Sequence, residues 1–273
     1  LQYQFKILEE MEQLQMQATE IIKNVARELQ EKYVPKEKGV SKERMFELFE
    51  IANSFAEHAI RTALNKIVPD IAWADAEFNI VAQQKGMDKD YWVCDALDGA
   101  VHFLQGCFPW VISLVLMRNN QPEFSILYYP EKDELFTAKR GGGAFLNGIK
   151  IEVNSRKTLD SAFVSTFHRY GDDGEKELLE KTLLSMKRVI PKTFALRILG
   201  PASLQMAYIA CGRLEAFWEF GNDIYDWLAG SLLVEEAGGV VTDTVGNAFG
   251  IKSNLGILST NNTIIRDELI RIF

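Results

Sequence analysis

From Tyr91 to about Ile151 the chain holds short apolar runs broken by turn residues, and beyond about Asn154 such runs alternate with helical stretches. That change of texture restricts the fold more than any other feature. Tyr91 to Cys94, Trp110 to Met117 (WVISLVLM), Phe124 to Tyr129 (FSILYY) and Glu134 to Ala138 read as strands, and the glycine-rich KRGGGAFLNG (139–148) must turn tightly. Together they predict a meandering antiparallel sheet. Strands are then expected near 162–166, 192–197, 214–219, 240–243 and 256–259. Helices are expected at 174–186, 202–211, 226–237 and 262–272. Such alternation predicts an α/β half. The fold class is therefore α/β, with an α+β N-terminal half (1–155) and an α/β C-terminal half (156–273). No long linker separates the halves, so they are expected to share an interface.

Two helices precede the sheet. Leu8, Met11, Leu14, Ala18, Ile22, Val25 and Leu29 recur at three- and four-residue steps, one apolar stripe on a polar rod over about 5–33. The stripe suits packing on a core, with a coiled-coil partner as the alternative. VPKEKGVSKE (34–43) reads as a loop, and a second helix is predicted from Glu43 to Lys66 with Ser41 as its N-cap.

Composition narrows the class of function. The 273 residues carry 30 Lys+Arg against 38 Asp+Glu, a net charge of 30 − 38 = −8. Acidic balance argues against general nucleic-acid binding. Cys94, Cys107 and Cys211 are scattered and odd in number, which fits buried free thiols in a reducing compartment. The longest apolar runs are too short to span a bilayer. LQYQFKILEE lacks the basic and apolar regions of a signal peptide, and the expected location is the cytoplasm.

The chemistry concentrates in YWVCDALDGAVHF (91–103). Asp95 is predicted at the end of a strand and Asp98 one turn later, with the Leu97 carbonyl between them. Oxygen donors of this kind suit a hard cation such as Mg²⁺. Gly99 lets a ligand approach the backbone, and a helix from Ala100 would aim free N–H groups at an anion. A plainer reading makes Asp98 a helix cap and Asp95 a turn residue. A second stretch, NDIYDWLAGSLLVEEAGG (222–239), places Asp226 at a predicted helix start and ends in a helix stop signal. This third carboxylate could complete a metal site built across the two halves.

DALDG together with DWLAGSLLVEEAGG resembles the inositol monophosphatase family of Mg²⁺-dependent phosphomonoesterases. PEKDELFTAKRGGGAFLNGIKI (130–151) and RILGPASLQMAYIACGRLEAFWEFG (197–221) resemble two further segments of that family, so the likeness runs in order over roughly 45–272. It implies a layered αβαβα sandwich, usually a homodimer, acting on a small phosphorylated metabolite. It implies Asp95, Asp98, Asp226 and the Leu97 carbonyl as metal ligands, and Gly99 and Ala100 as phosphate donors. Gly200 and Ala202 would face the substrate alcohol, and Glu219 would bind a sugar or inositol hydroxyl. Without the resemblance, Glu219 reads equally well as a strand-end charge facing water.

Four departures from the family pattern stand out. The threonine after Asp-Gly is Ala100, which keeps the N–H and lacks the hydroxyl. The upstream acid that pairs with that threonine to activate water is matched by Phe55 in Ile51-Ala52-Asn53-Ser54-Phe55, with Glu57 nearby as a substitute. The Gly-Glu-Glu metal segment is matched by Trp73-Ala74-Asp75, where Asp75 is the candidate ligand and catalytic carboxylate and Glu77 its competitor. Ala96 and His102 replace a proline and an asparagine. His102 could be a ligand or base, and a helix residue turned to the sheet is the plainer reading. Two functions follow: a Mg²⁺-dependent phosphatase with impaired or altered chemistry, or a silent member that binds phosphate, metal or a protein partner. Some bacterial members of the family contact the transcription machinery.

Overall fold

The computed structural model describes residues 2–33, 39–74, 85–168 and 176–273, with side chains described from residue 11 onward. Two helices lead: α1 (Gln2–Lys32) and α2 (Lys42–Ile67). The predicted stripe is the buried one, since Leu14, Ala18, Ile22, Val25 and Leu29 all lie in the core. They pack with Ala52, Ala56, Ile60 and Leu64 of α2 rather than with a coiled-coil partner. Ser41 caps α2 by accepting from the Arg44 N–H at 3.3 Å.

A seven-stranded sheet follows, in sequential order: β1 (Ala72–Trp73), β2 (Tyr91–Asp98), β3 (Val111–Arg118), β4 (Gln121–Tyr129), β5 (Glu134–Lys139), β6 (Gly143–Leu146) and β7 (Ile149–Ile151). β1 runs parallel to β2, and every later pairing is antiparallel. The turn between β3 and β4 takes only two residues. Asn119 and Asn120 adopt φ of 52° and 59°, the left-handed pair a two-residue hairpin loop requires. The glycine-rich segment is also more than a turn, because it holds β6 and the start of the bend into β7.

The second sheet has five strands in the order β11-β12-β10-β8-β9: β8 (Phe163–Thr166), β9 (Ala195–Ile198), β10 (Ala216–Glu219), β11 (Val240–Thr242) and β12 (Ile257–Thr260). β9, β8 and β10 are mutually parallel, and β12 closes antiparallel against β10 and β11. A short helix α3 (Ala100–Gln105) follows β2. The remaining helices are α4 (Lys176–Val189), α5 (Ala202–Ala210), α6 (Ile224–Glu236) and α7 (Thr263–Ile272).

Five layers result. α1 and α2 cover one face of the first sheet. α5 and α6 fill the space between the sheets and touch both. α4 and α7 cover the far face of the second sheet. The middle layer explains the composition of α5 and α6. A helix between two sheets is buried all round, and both helices are apolar or small at nearly every position. Gly230 of α6 lets Met206 of α5 close in, since a Cβ there would lie 2.6 Å from the Met206 Cβ. Among the described residues no helix is long and apolar enough to cross a membrane. The cysteines are free, but Cys107 is exposed, contrary to the expectation of buried thiols, because it lies in the loop beyond α3.

Candidate active site

β2 was expected to end at Asp95, and instead it continues to Asp98 through an irregularity. Asp95 faces Ser113 and Asp98 faces Val111, so three steps along β2 match two along β3. Strand side chains alternate faces, so residues three apart should point oppositely. One extra residue reverses that parity and returns Asp95 and Asp98 to the same side. Both are buried, at 7% and 8% exposure. Asp95 Oδ1 accepts the Leu97 N–H at 3.0 Å, and Asp98 Oδ2 accepts from the Ser203 hydroxyl of α5.

Gly99 follows with φ of 92°, and it is enclosed. A Cβ there would lie 2.9 Å from the Pro109 carbonyl oxygen and 3.0 Å from Pro201 Cγ. Glycine is thus required twice, by its backbone conformation and by the close approach of two loops. Ala100 opens α3 as expected, half-buried and without a hydroxyl. Gly200 and Ala202 flank Pro201, so the loop that touches Gly99 is the one expected to face the substrate.

Asp226 does not start its helix. α6 begins at Ile224, and Asp226 lies in its first turn. There a carboxylate is favoured by the free N–H groups. Glu219 ends β10 at 2% exposure and accepts the Trp227 indole N–H at 2.8 Å, so it is not a charge facing water. Burial pushes the Asp98 carboxyl well above its ordinary range, and the nearby charges of Asp226 and Glu219 push it further. The Ser203 hydroxyl pulls the other way. Three carboxylates from three elements therefore act on one another around Asp98. Ser203 and Trp227 went unnoticed in the sequence, although each adjoins a singled-out residue, Ala202 or Asp226.

Asp75 and Glu77 lie outside the described residues. Among the described residues no group of three or more His, Cys, Asp or Glu side chains is arranged to hold a metal ion. The donor chemistry nonetheless fits a hard divalent cation, because mutually repelling buried carboxylates are what such an ion neutralises.

The residues that the resemblance matches to the water-activating acid take part in other contacts. Phe55 stacks on Tyr33, with centroids 4.6 Å and planes 26° apart. Glu57 is engaged by Arg61 at 2.6 Å, one turn along α2. His102 does not turn to the sheet. Its ring packs on Gly200, where a Cβ would lie 2.7 Å from Cε1. Burial lowers the pKa of this imidazole.

The sequence matches the inositol monophosphatase family over residues 6–272. It is 30% identical over 263 residues to the inositol monophosphatase of Dictyostelium discoideum, covering 93% of each chain. It is 38% identical over 193 residues to the Nus factor SuhB of Pseudomonas aeruginosa, covering 70% of each. The crystal structure of the extragenic suppressor protein suhB from Bartonella henselae superposes with a TM-score of 0.78 at 30% identity, over 95% of this chain and 97% of that one. With the family match running over nearly the whole chain and the five-layer fold shared, the chain belongs to the inositol monophosphatase family.

Proposed function

We propose that this protein is a Mg²⁺-dependent phosphomonoesterase of small phosphate esters whose turnover is slowed by the loss of its water-activating pair. The observation that carries this reading is the buried Asp98 carboxyl, crowded by Asp226 and Glu219 directly before the Gly99 turn. Asp95, Asp98, Asp226 and the Leu97 carbonyl would hold the ion, with Asp75 as a further ligand. When bound there, Mg²⁺ supplies charge stabilisation to the phosphoryl oxygens and lowers the pKa of attacking water.

The chain's own residues divide the remaining work. The N–H groups of Gly99 and Ala100 bind phosphate oxygens. Ser203 orients Asp98 by donating to Oδ2. Trp227 orients Glu219 by donating to Oε2, and Glu219 in turn binds a hydroxyl of the inositol or sugar. No carboxylate stands at position 55 and no hydroxyl at position 100 to remove the proton from water. General-base assistance of this kind contributes about 10²–10⁴-fold, which sets the scale of the expected loss.

The second reading, a silent member that binds a protein partner, is favoured by the Phe55–Tyr33 stack, which commits the acid's position to packing. Phosphate release from a panel of inositol, sugar and nucleotide 3′-phosphates, with and without Mg²⁺, separates the two. Mg²⁺-dependent release abolished by Asp226→Asn supports the enzyme. A folded chain that releases no more than that variant supports the silent member.

A homodimer also belongs to this proposal. α4 turns Thr182, Ser185 and Val189 inward and leaves Leu179, Leu183 and Leu184 exposed. Ile190 and Phe194 extend the apolar strip toward the edge strand β9. Lys187, Arg188 and Lys192 lie at the end of the strip nearer β9, while at the other end Lys176 and Lys181 balance Glu177 and Glu180. A second copy packed on this strip would cover its exposed apolar side chains. Sedimentation of the chain and of Leu183→Glu tests it: the variant is expected to run as a monomer.

A further inference from the structure

The imidazole of His102 is the feature of the site that neither the metal ligands nor the phosphate donors use. It sits in α3, two residues beyond Ala100, and leans across to the loop that carries Gly200. A Cβ at Gly200 would lie 2.7 Å from Cε1, 3.3 Å from Nδ1 and 3.7 Å from Nε2, so the ring fills the space a side chain at 200 would occupy. The loop is held in place for this contact. Gln205 Nε2 donates to the Leu199 carbonyl at 2.8 Å and lies 3.4 Å from the Pro201 carbonyl, the two residues flanking Gly200. Pro201 in turn closes on Gly99. Yet neither ring nitrogen has a hydrogen-bond partner among the described residues, and the residue is only half-buried.

Resting on the phosphatase reading above, we infer that His102, docked on Gly200, hydrogen-bonds the alcohol portion of the phosphate ester and so selects esters that carry a hydroxyl beside the phosphate. The ring is suited to this. Burial favours its neutral form, which offers one donor and one acceptor, the complement of a hydroxyl. The phosphate itself needs charge and N–H donors, which the Gly99 turn supplies. His102 therefore distinguishes ester from inorganic phosphate.

The test is calorimetric binding of two probes in the presence of Mg²⁺, myo-inositol 1-phosphate and inorganic phosphate. The variants are His102→Ala, His102→Gln, Gly200→Ala and the double variant His102→Ala with Gly200→Ala. One neutral hydrogen bond corresponds to a loss of roughly 3- to 10-fold in affinity. His102→Ala is expected to lose that for the inositol ester and less than twofold for inorganic phosphate, with an unchanged melting temperature. His102→Gln, which keeps a hydrogen-bonding group, is expected to recover part of the loss. Gly200→Ala, which displaces the ring, is expected to match His102→Ala, and the double variant to be no worse than either. Equal losses for both probes, no loss for either, or additive single losses would overturn the inference and leave the phosphatase reading standing. If the unaltered chain binds neither probe, both fall together.

Discussion

Phe55 stacks face to face on Tyr33 at 4.6 Å, joining α2 to the end of α1 at the position where the resemblance calls for an acid. Under the proposed reading, the residue that packs the two helices together stands where a water-activating carboxylate would be needed. Restoring both members of the pair, Phe55→Asp with Ala100→Thr, is expected to raise phosphate release by about 10²-fold or more over the native chain. Either change alone is expected to give little. Initial rates for the singles and the double decide it, and a double variant no faster than the native chain refutes the role assigned to these positions. The gain should come with a stability cost of about 1–3 kcal/mol, from lost aromatic packing.

Mg²⁺ should stabilise the chain in proportion to its binding. At 100-fold over Kd the gain is about 2.7 kcal/mol. Thermal melts with and without Mg²⁺ should show the shift in the native chain and its loss in Asp226→Asn. An equal shift in both would place the ion elsewhere.

Gly99→Ala should be destabilising by about 1–3 kcal/mol, because the new Cβ meets the Pro109 carbonyl and Pro201 at a positive φ. Urea denaturation should show a lower midpoint with an unchanged slope.

Trp227→Phe keeps an aromatic ring, leaves a small cavity where the larger indole was buried, and removes the N–H that Glu219 accepts. The expected cost is about 1–3 kcal/mol. Weaker binding of the inositol ester than of inorganic phosphate should accompany it, since Glu219 is assigned to the hydroxyl side. Calorimetry with both probes measures this.

Alkaline stability should be limited by three phenols. Burial pushes Tyr91, Tyr128 and Tyr129 up to about 12. In Tyr128 the hydrogen bond to Asp133 adds to the effect. Between the ordinary value near 10 and about 12, the folded chain keeps protons that the unfolded chain has released. The associated stability is complete below about pH 10 and is lost as pH rises through the folded value. Ultraviolet titration should show these phenols ionising late, together with loss of helical circular dichroism. Ordinary titration of all tyrosines near pH 10, with the fold intact, would contradict it.

How far the sequence led depended on how local each feature was. The α1 stripe, the Ser41 cap and most strands were legible, because a periodicity or a cap depends on residues within a turn or two of one another. The strands within the glycine-rich segment were not, since β6 holds its place through β5 and β7 rather than through its own short apolar run. The Gly141 and Gly143 N–H groups also reach Glu236 at the far end of α6, at 2.7 and 2.8 Å.

The carboxylates themselves, with their spacing and the glycine between strand and helix, were determined by sequence alone. Their arrangement was decided by tertiary structure. An extra residue in β2, measurable only against β3, brings Asp95 and Asp98 to one side. Ser203 reaches Asp98 across 105 positions of chain. Arg61 engages Glu57, and Gly200 receives His102, only because helices and loops are packed as they are. Residue chemistry and short-range geometry are written in order along the chain. Which groups share a buried, low-dielectric space is set by how the layers close, and that shared space is what shifts the proton affinity of Asp98.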